Sequence, residues 1–176
     1  YEFTQSIVGG AIPKNYIPAV EKGIKEALND GYLAGYPIVD IKVNLYDGSY
    51  HSVDSSDMAF KIAGLHALKK AVSQAQPVLQ EPIMNVKITV PDTFTGDVMG
   101  DLNSRRARIS GMNPENGISV IEAQAPLSEM QRYSIDLRSM TQGRGSYTIE
   151  FSHYEEVPAH IAQNIIDEAA KEKDNG

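Results

Sequence analysis

Six consecutive residues, Tyr46-Asp47-Gly48-Ser49-Tyr50-His51, carry the densest chemistry in the chain. They set two phenols, a carboxylate, a hydroxyl and an imidazole in one polar stretch. An imidazole can stack on a nucleobase, donate to a phosphate and change charge near neutral pH. Ser49, Ser52, Ser55 and Ser56, with Asp47, Asp54 and Asp57, add the ingredients of a hydrolytic triad. Polar loops hold these types by composition alone, and the G-x-S-x-G elbow of such enzymes does not occur. The histidines, His51, His66, His153 and His160, lack the H-E-x-x-H spacing of a metal site. The residues therefore argue against a catalytic or metal centre. They leave two readings of His51: a solvated loop histidine, which the residue types alone favour, or a tip residue that contacts RNA.

The second concentration is cationic. All the arginines lie between Arg105 and Arg144, and residues 1–81 contain lysine only. Arg105, Arg106 and Arg108 close a predicted helix. There they would meet the helix dipole and pair with Asp97 or Asp101, or else reach phosphates. Arg144 sits in Gln142-Gly143-Arg144-Gly145, a loop with one bidentate donor. A phosphate cradle needs N–H groups converging at a helix N-terminus; here a strand follows, so the glycines read first as turn residues. Gly9-Gly10 likewise reads as a chain turn.

The elements that position these groups follow from periodicity. Glu2 to Val8 predicts a strand, and Pro13 suits a helix start. Tyr16, Val20, Ile24 and Leu28 form a helical stripe that Asp30-Gly31 ends. Pro37 to Leu45 predicts a second strand, through the alternation of Ile41, Val43 and Leu45. Asp47-Gly48 then predicts a turn with positive φ at the glycine. Asp54 or Ser55 predicts the N-cap of a helix running to about Gln74, with Met58, Ile62, Leu65 and Val72 inward. Two strands cover two amphipathic helices poorly, so we expect further strands from upstream sequence.

Residues 77–82, with two prolines, mark a boundary. Beyond it come a strand over Ile83–Val90, a helix over Phe94–Arg106, a strand over Arg108–Met112 and a turn at 113–117. A strand over Ile118–Ala125 follows, then, just after Pro126, a helix carrying Leu127, Met130, Ser134 and Leu137, and a strand over Ser146–His153. The order β-α-β-β-α-β is that of a ferredoxin-like sandwich. Val157 to Ala170 predicts a last helix. The fold class is α/β (α+β), as two two-layer sandwiches.

The chain has 176 residues, 41% hydrophobic, a net charge of −7 and no cysteine. Disulfides and thiolate metal sites are excluded, and no apolar run reaches membrane-spanning length. No signal peptide is visible, and the chain opens directly on strand-like sequence. Acidity argues against a broad nucleic-acid face. Much of it lies after Glu155, however, so a local arginine cluster retains access to phosphates.

The stretch YDGSYHSVDSSDMAFKIAG, residues 46–64, resembles the tip loop and following helix of the fourth domain of bacterial translation elongation factor G. Residues 7–24 (IVGGAIPKNYIPAVEKGI), 81–112 (EPIMNVKITVP with GDVMGDLNSRRARISGM) and 126–158 (PLSEMQRYSIDLRSMTQGRGSYTIEFSHYEEVP) extend the likeness in the family's order. The resemblance implies part of the fourth domain, a βαβ sandwich like that of a ribosomal protein, over residues 1–80. It implies a ferredoxin-like fifth domain over 81–154, and over 155–176 a C-terminal helix packing back on the first domain, then a tail. G-x-x-x-x-G-K-[ST] is absent here, so GTP, magnesium and GTPase chemistry are expected in a missing N-terminal domain, with no cofactor in this fragment. Implied partners are the ribosome: ribosomal RNA, transfer RNA at the decoding centre, and the large-subunit stalk base, with the fifth domain near that base and the sarcin-ricin loop. The expected protein is cytoplasmic, monomeric and free of membrane. Residues Tyr46 to His51 would be the decoding-centre tip, and Arg105, Arg106, Arg108 and Arg144 the ribosomal RNA contacts. Gln131-Arg132-Tyr133 departs from the family, which usually carries an apolar aromatic pair before the tyrosine. Alternatives are a recycling or ribosome-protection paralogue, or a free-standing protein-interaction module.

Overall fold

A computed structural model describes residues 1–174. They form two compact units, Tyr1–Val78 with the chain from Pro158 onward, and Leu79–Val157.

In the first unit, β1 (Glu2–Gln5) and β2 (Lys42–Leu45) pair in parallel, Glu2 opposite Lys42 and Gln5 opposite Leu45. Between them runs α1 (Ile17–Asp30), entered through a 3₁₀ turn at Lys14–Tyr16 and ended by Gly31 at φ 70°. Its inward face is Val20, Gly23, Ile24, Ala27 and Leu28, the predicted stripe. After β2 the chain makes a loop and enters α2 (Asp57–Gln74). The core joins Ile12, Val20, Ile24, Leu28, Phe60, Leu68 and Val72. An open apolar groove of about 610 Å³ lies between β2 and α2, floored by Val20, Ile24 and Leu68. The last helix, α5 (Ala159–Asp174), belongs to this unit, with Ile161 and Ile165 half-buried.

The helices α1 and α2 touch at glycines. A Cβ on Gly23 would overlap the carbonyl oxygen of Lys61, and one on Gly64 would lie 2.7 Å from that of Val20. No larger residue permits this approach of two backbones.

Three expectations for this unit need correction. The cap of α2 is Ser56, whose Oγ accepts from the Ala59 amide at 3.1 Å. Its inward face is Phe60, Gly64, Leu68 and Val72, while Met58 and Ile62 are exposed. Apolar residues occur nearly all round this helix, so periodicity alone did not select the face. Finally, Gly48 does not take positive φ. A Cβ there would overlap Ile12 Cδ1, so a larger residue would require the Ile12 side chain to shift.

The second unit is a four-stranded antiparallel sheet in the order β4-β5-β3-β6 with helices on one face. Its strands are β3 (Gln80–Pro91), β4 (Arg108–Glu115), β5 (Ile118–Pro126) and β6 (Ser146–Glu156). Its helices are α3 (Thr95–Ser104) and α4 (Tyr133–Met140). This is the ferredoxin-like arrangement. Val86, Ile88 and Val90 of β3, Val98 and Leu102 of α3, Ile121 of β5, and Tyr133 and Leu137 of α4 form the core.

Here β4 runs further than expected, and Glu115 opposite Ile118 leaves a two-residue hairpin of Asn116-Gly117, both at positive φ. On β5 the inward residues are Ser119, Ile121, Ala123 and Ala125. The segment after Pro126 is not one helix. A 3₁₀ turn over Leu127–Met130 ends at Gln131, and Arg132 at φ 61° restarts the chain as α4. Met130 and Tyr133 both reach the core this way, whereas Leu127 is 43% exposed.

Candidate nucleic-acid interface

Parallel pairing of β1 and β2 sends the loops that leave their C-terminal ends to the same end of the first unit. The longer one, Tyr46 to Ser56, is ordered by local bonds. The His51 amide donates to Ser55 Oγ at 2.9 Å, and its carbonyl accepts from the Asp54 and Ser55 amides at 3.2 and 3.0 Å. The Asp47 carboxylate accepts from the Gly48 amide at 2.8 Å. Ser55, expected as a helix cap, thus holds the turn that presents His51. The Tyr50 ring lies 5.9 Å from the Tyr16 ring, which stacks on Phe60 at 4.6 Å. Tyr50 is therefore an anchor joining the loop to the core.

The other groups face outward. Tyr46 is 72% exposed, and Asp47, Ser49 and His51 are exposed. Among the described residues the His51 ring has no hydrogen-bond partner, and no acid–base pair of the kind a triad needs forms in the loop. Val53, 91% exposed, extends the surface with an apolar tip outside the six residues singled out by their chemistry. Its signal was present in the sequence: a valine alone in a polar loop has no core to join.

The arginines do not form one surface. Arg105 donates from Nε to Asp101 at 2.8 Å and from Nη2 to Asp136 at 2.7 Å, and it lies over the Tyr133 ring at 5.0 Å. Burial works against its charge, and the two carboxylates more than offset this, raising its pKa. Arg106, at φ 56°, makes a bidentate pair with Glu81 at 2.7 and 2.9 Å and donates to Glu129 at 3.0 Å. The Glu81 bond is the largest cause of its raised pKa. Of the two expected partners for this cluster, Asp101 is used and Asp97 is not. Arg108 reaches Glu155, whose carboxyl is held below its ordinary range by Arg108 first and by His153 next. Among the described residues Arg144 has no carboxylate partner; it lies over the Phe94 ring at 4.8 Å.

Two family models account for nearly all of the chain. Elongation factor G, domain IV matches residues 1–76, and elongation factor G C-terminus matches residues 78–165. A crystal structure of a protein from Thermus thermophilus superposes with a TM-score of 0.83 at 50% identity. The match covers 97% of this chain and 26% of that one, so the chain spans about a quarter of its relative's length.

Proposed function

This chain belongs to the elongation factor G family, and from that premise we propose that it is the ribosome-engaging C-terminal part of a translocase. Its role is mechanical. The first unit carries the Tyr46-to-His51 loop into the decoding centre behind the moving transfer RNA and favours forward movement of transfer and messenger RNA. GTP hydrolysis belongs to a separate domain of the parent protein, with its own magnesium and phosphate loop, and the parent works in the cytoplasm. The observation that carries this reading is the loop itself: a backbone fixed by Ser55 and Tyr50, with Tyr46, His51 and Val53 unpaired at its surface. Preorganised aromatic and imidazole groups suit stacking on exposed bases, which gains roughly 1–3 kcal/mol per base.

In the second unit, the arginines divide by what they already touch. Arg105 and Arg106 are part of the scaffold, because removing them from carboxylates to reach RNA would leave partly buried carboxylates, Glu81 above all, without their cations. Arg108, 60% exposed, and Arg144 are left as contacts for ribosomal RNA phosphates. Position is tested directly with a tethered cleavage reagent. The chain has no cysteine, so Ser52→Cys gives it one attachment point, in a parent otherwise freed of reactive thiols. We expect cleavage of small-subunit RNA at the decoding centre in the ribosome complex. Cleavage confined to other regions would overturn the placement.

A further inference from the structure

We infer that the free edge of β6, along Ser146 to Phe151, is a docking site for an extended protein segment of alternating basic and apolar residues, which adds to the sheet as a further strand. The inference is independent of the His51 loop and of the arginines.

The case starts from the two edges of the second unit's sheet. The order β4-β5-β3-β6 leaves β4 and β6 each with one side unpaired. An unpaired edge is a row of N–H and C=O groups open to another chain, and proteins blunt such edges with prolines, bulges or charge. The β4 edge is blunted. Its register shifts between Ile109 and Gly111, and Pro114 has no N–H to offer. The β6 edge is not. Its register is unbroken from Ser146 opposite Thr89 to Phe151 opposite Met84, and shifts only at Ser152. The strand holds no proline and no lysine. Among the described residues its backbone bonds to β3 alone.

The side chains then define what fits. Successive residues of a strand face opposite sides of the sheet. On the helix side, Tyr147 and Ile149 pack on the core. Phe151 continues that side but is 55% exposed, and its ring lies 5.3 Å from that of Tyr154, itself 59% exposed. The two rings form an apolar shelf at the end of the straight run. On the open side stand Ser146, Thr148 and Glu150, all exposed. Among the described residues Glu150 makes no ion pair, whereas Glu155, past the shift, is held by Arg108 and His153.

Charge selects the occupant. An added strand would lie about 4.8 Å away, with one side chain against Glu150 and the next against Phe151. Opposite charges paired across strands stabilise and like charges destabilise. A lysine or arginine on the open side and an aliphatic residue on the helix side satisfy both neighbours. Main-chain bonds supply affinity to any extended chain, and this alternation supplies the selection. The same argument disfavours two other occupants. A second copy of β6 would bring a second set of the same carboxylates to the edge. A nucleic-acid backbone would set phosphate against Glu150.

The test uses the full chain and a fluorescently labelled peptide of about eight residues alternating lysine and valine, the length of an ordinary strand. Binding is read by anisotropy and located by amide hydrogen exchange. We expect saturable binding, with slowed exchange in Ser146 to Phe151. Glu150→Lys should weaken it about three- to tenfold and should strengthen binding of the matching glutamate–valine peptide. The residue is exposed, so the melting temperature should not move. A lysine–valine peptide methylated at alternate backbone nitrogens should not bind, because it cannot complete the ladder. Equal binding of the methylated peptide would mean adhesion by charge without strand pairing and would overturn the inference. So would slowed exchange confined to other segments, an unchanged affinity in Glu150→Lys, or no binding by the unaltered chain. Concentration-dependent dimerisation, seen by sedimentation and abolished by the peptide, would give the edge to a second copy instead.

Discussion

At the scale of single residues, the ion pairs that Arg105, Arg106 and Arg108 make in the second unit predict which substitutions matter. Arg106→Ala leaves Glu81 and Glu129 facing one another without their shared cation. Glu81 is only 12% exposed. We expect a loss of about 1–3 kcal/mol, read from denaturant midpoints, with the half-exposed Glu129 contributing the smaller part. Tyr133→Phe should behave in the opposite way. The phenol is fully buried and its hydroxyl has no partner. Deleting it costs nothing in hydrogen bonds, so stability should stay within about 0.5 kcal/mol or rise. The ring, its contact with Arg105 and its edge against Tyr147 remain.

The Glu155 carboxyl supplies a pH prediction. Its folded pKa is lowered by Arg108 and His153. A lowered carboxylate pKa contributes stability above the unfolded value, and that stability is lost as pH falls through the folded one. An NMR titration of Glu155 should therefore show a midpoint below the ordinary glutamate value of about 4.3. Arg108→Gln should move the midpoint back up, and an unmoved midpoint would remove Arg108 as the cause.

At the scale of elements, the close crossing of α1 and α2 is the most sensitive joint of the first unit. Gly23→Ala must push the Lys61 backbone away, and backbone yields less readily than a side-chain end. We expect destabilisation of about 1–3 kcal/mol, measured by chemical denaturation. Gly9→Ala meets no atom and strains only its positive φ, so it should cost about 1–2 kcal/mol. The order of elements was legible in the sequence because α1, β3 and β6 have clean periods. Val20, Ile24 and Leu28 name one helix face, and Tyr147, Ile149 and Phe151 one strand face. What was hidden was decided by tertiary contact. The face of α2 was set by the glycine crossing. The break at Arg132 was set by the need to bring both Met130 and Tyr133 to the core. The partners of Arg106 and Arg108 lie 25 and 47 residues away in sequence, beyond any local pattern. The position of the His51 loop was legible from the strand end at Leu45 and the polar run after it; its support by Ser55 and Tyr16 was not.

At the scale of the molecule, each unit has its own core. The second is a complete sheet with both helices in place, so residues 79–157 expressed alone should unfold in one cooperative transition. The first unit carries the loop on which the functional account depends. Hydrolysis, on this account, happens elsewhere in the parent protein, and the loop acts only when it reaches the decoding centre. The two steps should therefore separate on substitution of one exposed side chain. The decisive measurement is single-turnover translocation beside ribosome-stimulated phosphate release in the full-length factor carrying His51→Ala. The account predicts translocation slowed about ten- to a hundredfold, the effect of removing roughly 1–3 kcal/mol of stabilisation from the transition state, with phosphate release nearly unchanged. If both rates fall together, or if neither changes, the loop does not have this role.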